Sequence, residues 1–123
     1  GVLTGLELLS RQGTAVPKVR TVAVGNTVRG AEKAVSKLLR EACSSVPGVP
    51  QVQTAADFTD CGKNDYGKPD AELLLLREDI EKQDGIRLDP TYNINAFYGM
   101  IKELENSPGP QDILYINTGG FTD

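Results

Sequence analysis

The stretch Ile86-Arg87-Leu88-Asp89-Pro90-Thr91-Tyr92-Asn93 places a tyrosine just past a proline that stiffens the chain. A phenol held in such a loop can hydrogen-bond a carboxylate or pass a proton. The 123-residue chain contains no histidine, so Ser-His-Asp and Cys-His pairs, imidazole metal ligands and the commonest general base are all excluded. Chemistry must then come from tyrosine, lysine, carboxylates or a borrowed cofactor. The two cysteines, Cys43 and Cys61, lie far apart in no Cys-x-x-Cys pair and read as ordinary reduced thiols.

The elements that must position Tyr92 are legible from periodicity. Val2, Leu6 and Leu9, with Leu3 and Leu8 beside them, have helical spacing, and Gly13 is the expected stop. Residues 19 to 24, VRTVAV, are β-branched and apolar like a buried parallel strand. From Val28, the residues Ala31, Val35, Leu38 and Ala42 predict one buried helix face, broken by Pro47-Gly48-Val49-Pro50. VQTAADF, 52 to 58, is weakly strand-like, and CGKNDYGKP after it is a loop. Asp70 predicts an N-cap, followed by a stripe of Leu73, Leu76 and Ile80 that ends at Gly85. The IRL of 86 to 88 predicts a short strand, then Ile94, Phe97, Ile101 and Leu104 a helix face. After the turn SPGP, DILYIN at 112 to 117 predicts the last strand.

Strands alternating with helices imply βα crossovers, hence an α/β fold: a three-layer, mostly parallel sheet with helices on both faces. In such sheets ligands bind beyond the C-terminal ends of the strands. That rule selects Gly25-Asn26-Thr27, Asp89 to Asn93, and Asn117-Thr118-Gly119-Gly120, which places Tyr92 at a ligand rim.

Composition narrows the classes. At this length the chain is at most one domain. The net charge of −4 comes from interspersed acids and bases, with no basic run to draw in nucleic acid or anionic lipid. No apolar run approaches a membrane span and no export signal is visible, so neither nucleic acid nor membrane is expected as a partner and the expected location is cytoplasmic.

The order DYGKP, helix, GIRLDPTYNINAF, helix, ILYINTGG resembles the C-terminal half of the D-cysteine desulfhydrase and 1-aminocyclopropane-1-carboxylate deaminase family. These are pyridoxal phosphate enzymes of the tryptophan synthase β-type fold, with stretches reading approximately YG-x-P, GI-x-LDP-x-Y-x-GKA and VLF-x-HTGG. Residues 65 to 120 match in order and spacing, and residues 14 to 64 match loosely. The opening GVLTGL is similar to the family's phosphate loop running into a helix. The resemblance implies pyridoxal 5'-phosphate as cofactor, a small amino acid as substrate, and ammonia and a 2-oxo acid as products. It implies that Tyr92 and Tyr66 stand beside the substrate as catalytic residues, and that Gly1, Val2, Leu3, Thr4 and Gly5 hold the phosphate. It also implies that Thr118 and Gly119 lie under the ring, the threonine hydroxyl within reach of the pyridine nitrogen. A helix N-terminus suits the phosphate physically, since its free amides and the positive end of its dipole bind anions without a charged side chain. Tyr98 and Tyr115 have no counterpart and are assigned to packing.

Several positions depart from the pattern. Ile94 and Asn95 stand where relatives have Gly-Lys, and Val2 replaces a hydroxyl residue of the phosphate loop. Asn93 follows Tyr92 where the deaminases have a glutamate facing the pyridine nitrogen and the desulfhydrases a threonine, so the chain leans to the desulfhydrase side. The Schiff-base lysine lies upstream of the phosphate loop in this family. None of Lys18, Lys33, Lys37, Lys63, Lys68, Lys82 and Lys102 matches it. The chain is therefore expected to be a C-terminal fragment, inactive alone, whose partners are the missing N-terminal half and a second copy in a homodimer. The alternative is a non-enzymatic phosphate- or nucleotide-binding α/β module that uses the GVLTG helix end.

Overall fold

The computed structural model describes residues 1–53, 56–61, 68 and 70–117. Among them are four helices and two strands: α1 (Val2–Arg11), β1 (Val19–Ala23), α2 (Val28–Ser45), β2 (Ala56–Asp60), α3 (Ala71–Asp84) and α4 (Asn93–Glu105). The strands pair in parallel as one two-stranded sheet, so the chain is α/β. It divides into two units, Gly1–Thr21 with Asn26–Thr59, and Val22–Gly25 with Asp60–Asp123.

In the first unit, α1 ends as its sequence predicts. Gly13 takes φ +81°, the Gly13 N–H donates to the Ser10 carbonyl at 3.0 Å, and the Thr14 N–H reaches back to the Leu9 carbonyl at 3.1 Å. This crossed pair is the Schellman closure that a left-handed glycine permits. The inward face differs from the predicted one, because Val2, Leu8 and Leu9 are exposed while Glu7 is buried. Glu7 is accommodated by pairing: Oε1 accepts from Arg11 Nε at 2.9 Å and Oε2 from the Gln53 N–H at 2.8 Å. Arg11 Nη2 in turn donates to the Gln51 carbonyl at 2.8 Å. A buried carboxylate persists only when paired in this way, and the result is a clasp between α1 and the lead-in to β2.

Helix α2 starts where Thr27 Oγ1 accepts from the Gly30 N–H at 3.0 Å. Its predicted stripe holds at Ala31, Val35 and Ala42, but Leu38 faces solvent and Leu39 takes the half-buried place. Leu3, Val35, Leu39, Val52, Ala56 and Phe58 line a shallow groove of about 340 Å³ in this unit.

In the second unit, Asp70 Oδ1 caps α3 by accepting from the Leu73 N–H at 2.9 Å, and Gly85 closes the helix at φ +67°. Leu73, Ile80, Leu88 and Ile94 form the core, with Leu76, Phe97, Tyr98 and Tyr115 packed against them. Gly99 is buried in α4 because a side chain there would meet Val22 Cγ1 at 2.8 Å and Cys61 Cα at 3.4 Å.

Two predicted strands are absent. Residues 86 to 88 pair with no neighbour, and the Leu88 carbonyl is taken by Arg77 Nε at 2.7 Å. Residues 112 to 117 also lack strand structure, and Ile113, Leu114 and Ile116 are exposed. A β-prone run becomes a strand only when a neighbouring backbone pairs with it, and neither run is paired in a ladder among the described residues. The expected three-layer sheet is thus represented by two strands.

Candidate cofactor and substrate site

The candidate residues fall into both units. In the first, α1 begins at Gly1 with no side-chain cap. Its first intrahelical bond runs from the Gly5 N–H to the Gly1 carbonyl at 3.0 Å. Among the described residues, the amides of Val2, Leu3 and Thr4 and the Thr4 hydroxyl have no hydrogen-bond partner. Gly1 has open space where a side chain would begin. The arrangement fits a phosphate, whose oxygens would satisfy amides that a helix start leaves unpaired.

In the second unit, the loop 89–93 is built around one carboxylate. Asp89 Oδ1 accepts from the Thr91 N–H at 2.9 Å and the Tyr92 N–H at 2.7 Å, and Oδ2 accepts from the Asn93 N–H at 2.8 Å. The Asp89 backbone carbonyl closes the turn by accepting from the Ile94 N–H at 3.1 Å. Burial alone would push the Asp89 carboxyl up; the three amides and the Asn93 side chain outweigh it and hold the carboxyl below its ordinary value. This explains the form of Leu-Asp-Pro-Thr-Tyr: the aspartate caps α4, and Tyr92 sits at the helix N-cap, 47% exposed.

Asn93 lies inside this arrangement and is buried. Its side chain hydrogen-bonds Asp89, and its Oδ1 accepts from the Tyr115 hydroxyl at 3.3 Å. The same hydroxyl reaches the Asn93 carbonyl at 3.2 Å. These bonds fix the orientation of the Asn93 amide. The Tyr115 ring meets Phe97 edge-on, with centroids 5.3 Å apart. Burial pushes its phenol up, and the negative charge of Asp89 adds to that. The predicted site residues Tyr66, Thr118 and Gly119 lie outside the described residues, as does most of the loop that follows Asn117. Among the described residues no group of acidic or cysteine side chains could hold a metal ion. None of the described helices is long and apolar enough to cross a membrane.

The chain is 30% identical to a protein of Pyrococcus furiosus over 99% of its own length, and 31% identical to one of Pyrococcus horikoshii over the same share. A protein of Thermotoga maritima is 38% identical over 56 residues, 46% of the chain. All three carry the provisional name 1-aminocyclopropane-1-carboxylate deaminase. The chain thus resembles the 1-aminocyclopropane-1-carboxylate deaminase family along nearly its whole length. It spans 37% of the length of each Pyrococcus relative and matches 17% of the Thermotoga one. No family model matches the chain, and no solved structure does.

Against the pattern of this deaminase family, the structure adds residues that the sequence alone did not mark. The sequence marks Asp89 only as the first residue of the 89–93 loop and assigns Tyr115 to packing, yet both bond the segment that carries Tyr92. The Leu-Asp-Pro sequence is the signal that could have found Asp89, since an aspartate at a turn hydrogen-bonds backbone amides a few residues on. Tyr115 gave no signal, because its contact with Asn93 spans 22 residues of sequence.

Proposed function

We propose that this chain is part of a pyridoxal phosphate-dependent enzyme that releases ammonia and a 2-oxo acid from a small amino acid in the cytoplasm. D-cysteine is the preferred substrate and 1-aminocyclopropane-1-carboxylate the lesser one. The observation that carries the reading is the similarity to deaminase-named relatives along 99% of the chain. The open N-terminus of α1 supports it. On this reading the chain contributes to the three-layer sheet of a tryptophan synthase β-type fold. The anchoring lysine comes from sequence outside these residues, because none of the seven lysines stands at the family's position.

Bound pyridoxal phosphate supplies an electron sink for the pair left when the α-proton is removed. The residues here hold and orient. The free amides of Val2, Leu3 and Thr4 would hold the phosphate, with Thr4 assisting through its hydroxyl, whereas the Gly5 amide is already taken by the Gly1 carbonyl. Tyr92 presents its phenol to the substrate carboxylate or exchanges a proton with it, and Tyr66 serves the same end. By the family resemblance, Thr118 and Gly119 would support the cofactor ring, the threonine hydroxyl serving its pyridine nitrogen. Asn93, bonded to Asp89 and Tyr115, brings no charge of its own to that neighbourhood.

The test is made on the intact enzyme that contains this sequence. Tyr92→Phe should lower turnover by about 10²-fold, the scale of a lost proton-transfer group, while the pyridoxal phosphate absorbance of the purified protein is retained. Full activity in Tyr92→Phe would remove Tyr92 from the chemistry. A protein that binds phosphate but neither binds pyridoxal phosphate nor releases sulfide or ammonia would instead be a binding module.

A further inference from the structure

The hydrogen bonds of Tyr115 tie together two segments that the strand-end rule nominates separately. Its hydroxyl bonds both the carbonyl and the side chain of Asn93, the first residue of α4 and the neighbour of Tyr92. By sequence it stands two residues before Asn117, where the Asn117 to Gly120 loop begins. The same Asn93 bonds Asp89, whose Oδ1 holds the Tyr92 N–H at 2.7 Å. Tyr115 is partly buried against the core, where a hydroxyl drawn away from water needs a partner that phenylalanine would not. The ring's apolar work, the edge-on contact with Phe97, requires no oxygen. The hydroxyl therefore serves Asn93, its one proton shared between the Asn93 carbonyl and Oδ1.

We propose that Asp89 and Tyr115 are positioning residues that jointly set the placement of Tyr92: Asp89 grips its backbone N–H, and Tyr115 locks the adjoining Asn93 from the segment leading to Thr118. The importance of that placement for turnover rests on the substrate role of Tyr92 proposed above; the placement itself does not. Pinning three successive amides to one carboxylate fixes the backbone from which the phenol projects. The Tyr115 bond fixes the start of α4 relative to the segment at 115 to 117. A loop held at both ends presents its side chain in one orientation, which is the condition for a reactive group to be useful.

The decisive variant is Tyr115→Phe, which keeps the ring and its contact with Phe97 and removes only the hydroxyl. In the intact enzyme without substrate, a fluorotyrosine label at position 92 reports placement by its fluorine resonance. We expect Tyr115→Phe to shift or broaden that resonance, and Asp89→Asn to do so more strongly. An unmoved resonance in Tyr115→Phe overturns the proposal. Turnover supplies the second readout. Tyr115→Phe should lower kcat by roughly 10- to 100-fold, the scale of a misplaced group. The loss should vanish in the Tyr92→Phe background, because both changes act through one phenol. Equal losses in the two backgrounds overturn the proposal. A moved resonance together with a fully active Tyr92→Phe enzyme leaves the positioning intact and overturns the substrate role instead.

Discussion

Asp89 shows how much one side chain can organise. Its two oxygens take three consecutive backbone amides that would otherwise be unpaired at the start of α4. Because its pKa is lowered in the folded chain, the stabilisation is fully present above the unfolded value, about 3.9. It is lost as pH falls through the folded value. Asp89→Asn should cost about 1–3 kcal/mol near neutral pH, the range for buried donors left poorly matched. It should also flatten the fall in stability below about pH 4. Denaturant titrations at pH 7 and at acid pH on both proteins measure this. Equal acid limbs would show that Asp89 is not the group being titrated. The substitution Asn93→Glu would put a second carboxylate against Asp89, so it is a poor way to install a charge near the cofactor ring.

At the scale of elements, local chemistry decided what could be read in advance. Helix α3 was legible at both ends because Asp70 and Gly85 act through bonds to their own neighbourhood. Helix α2 was legible in extent, yet the choice between Leu38 and Leu39 as the inward residue needed the position of β2. Glu7 on α1 was invisible as a clasp: in sequence, one acid among leucines looks like a solvated position, and its partner amide lies 46 residues away. The unformed strands failed for the same reason, since strand structure belongs to pairs of segments. Of the candidate site, the exposed loop that carries Tyr92 could be read from its proline and helix start, whereas its expected strand at 86 to 88 does not form and the bonds of Asn93 to Tyr115 could not be foreseen. Gly99 is the element-scale test. Gly99→Ala in α4 should lower stability by about 1–3 kcal/mol through overpacking, even though alanine favours helix. The backbone of Cys61 cannot yield as the Val22 side chain can. Thermal denaturation of this variant checks it, and an unchanged or raised midpoint would show that the contact relaxes freely.

At the scale of the whole molecule, on the function proposed above, substrate choice would depend on the electron sink. Opening a cyclopropane ring has no ready leaving group, whereas β-elimination from D-cysteine expels a stabilised thiolate and tolerates a weaker sink. With Asn93 neutral and bonded elsewhere, we expect the intact enzyme to release sulfide from D-cysteine much faster than ammonia from 1-aminocyclopropane-1-carboxylate. Parallel assays of sulfide and ammonia decide it, and a preference for the cyclopropane compound would show that a charge outside these residues supports the ring. The run Ile113-Leu114-Tyr115-Ile116 carries a consequence of another kind. It is uncharged, β-prone and free of proline, and only Tyr115 is turned inward. Such a run can stack on copies of itself as the spine of a fibril. Leu114 is 84% exposed, so Leu114→Lys should leave the melting temperature unchanged while delaying thioflavin-positive aggregation. The run left unpaired among the described residues is thus also one where this polypeptide is prone to amyloid.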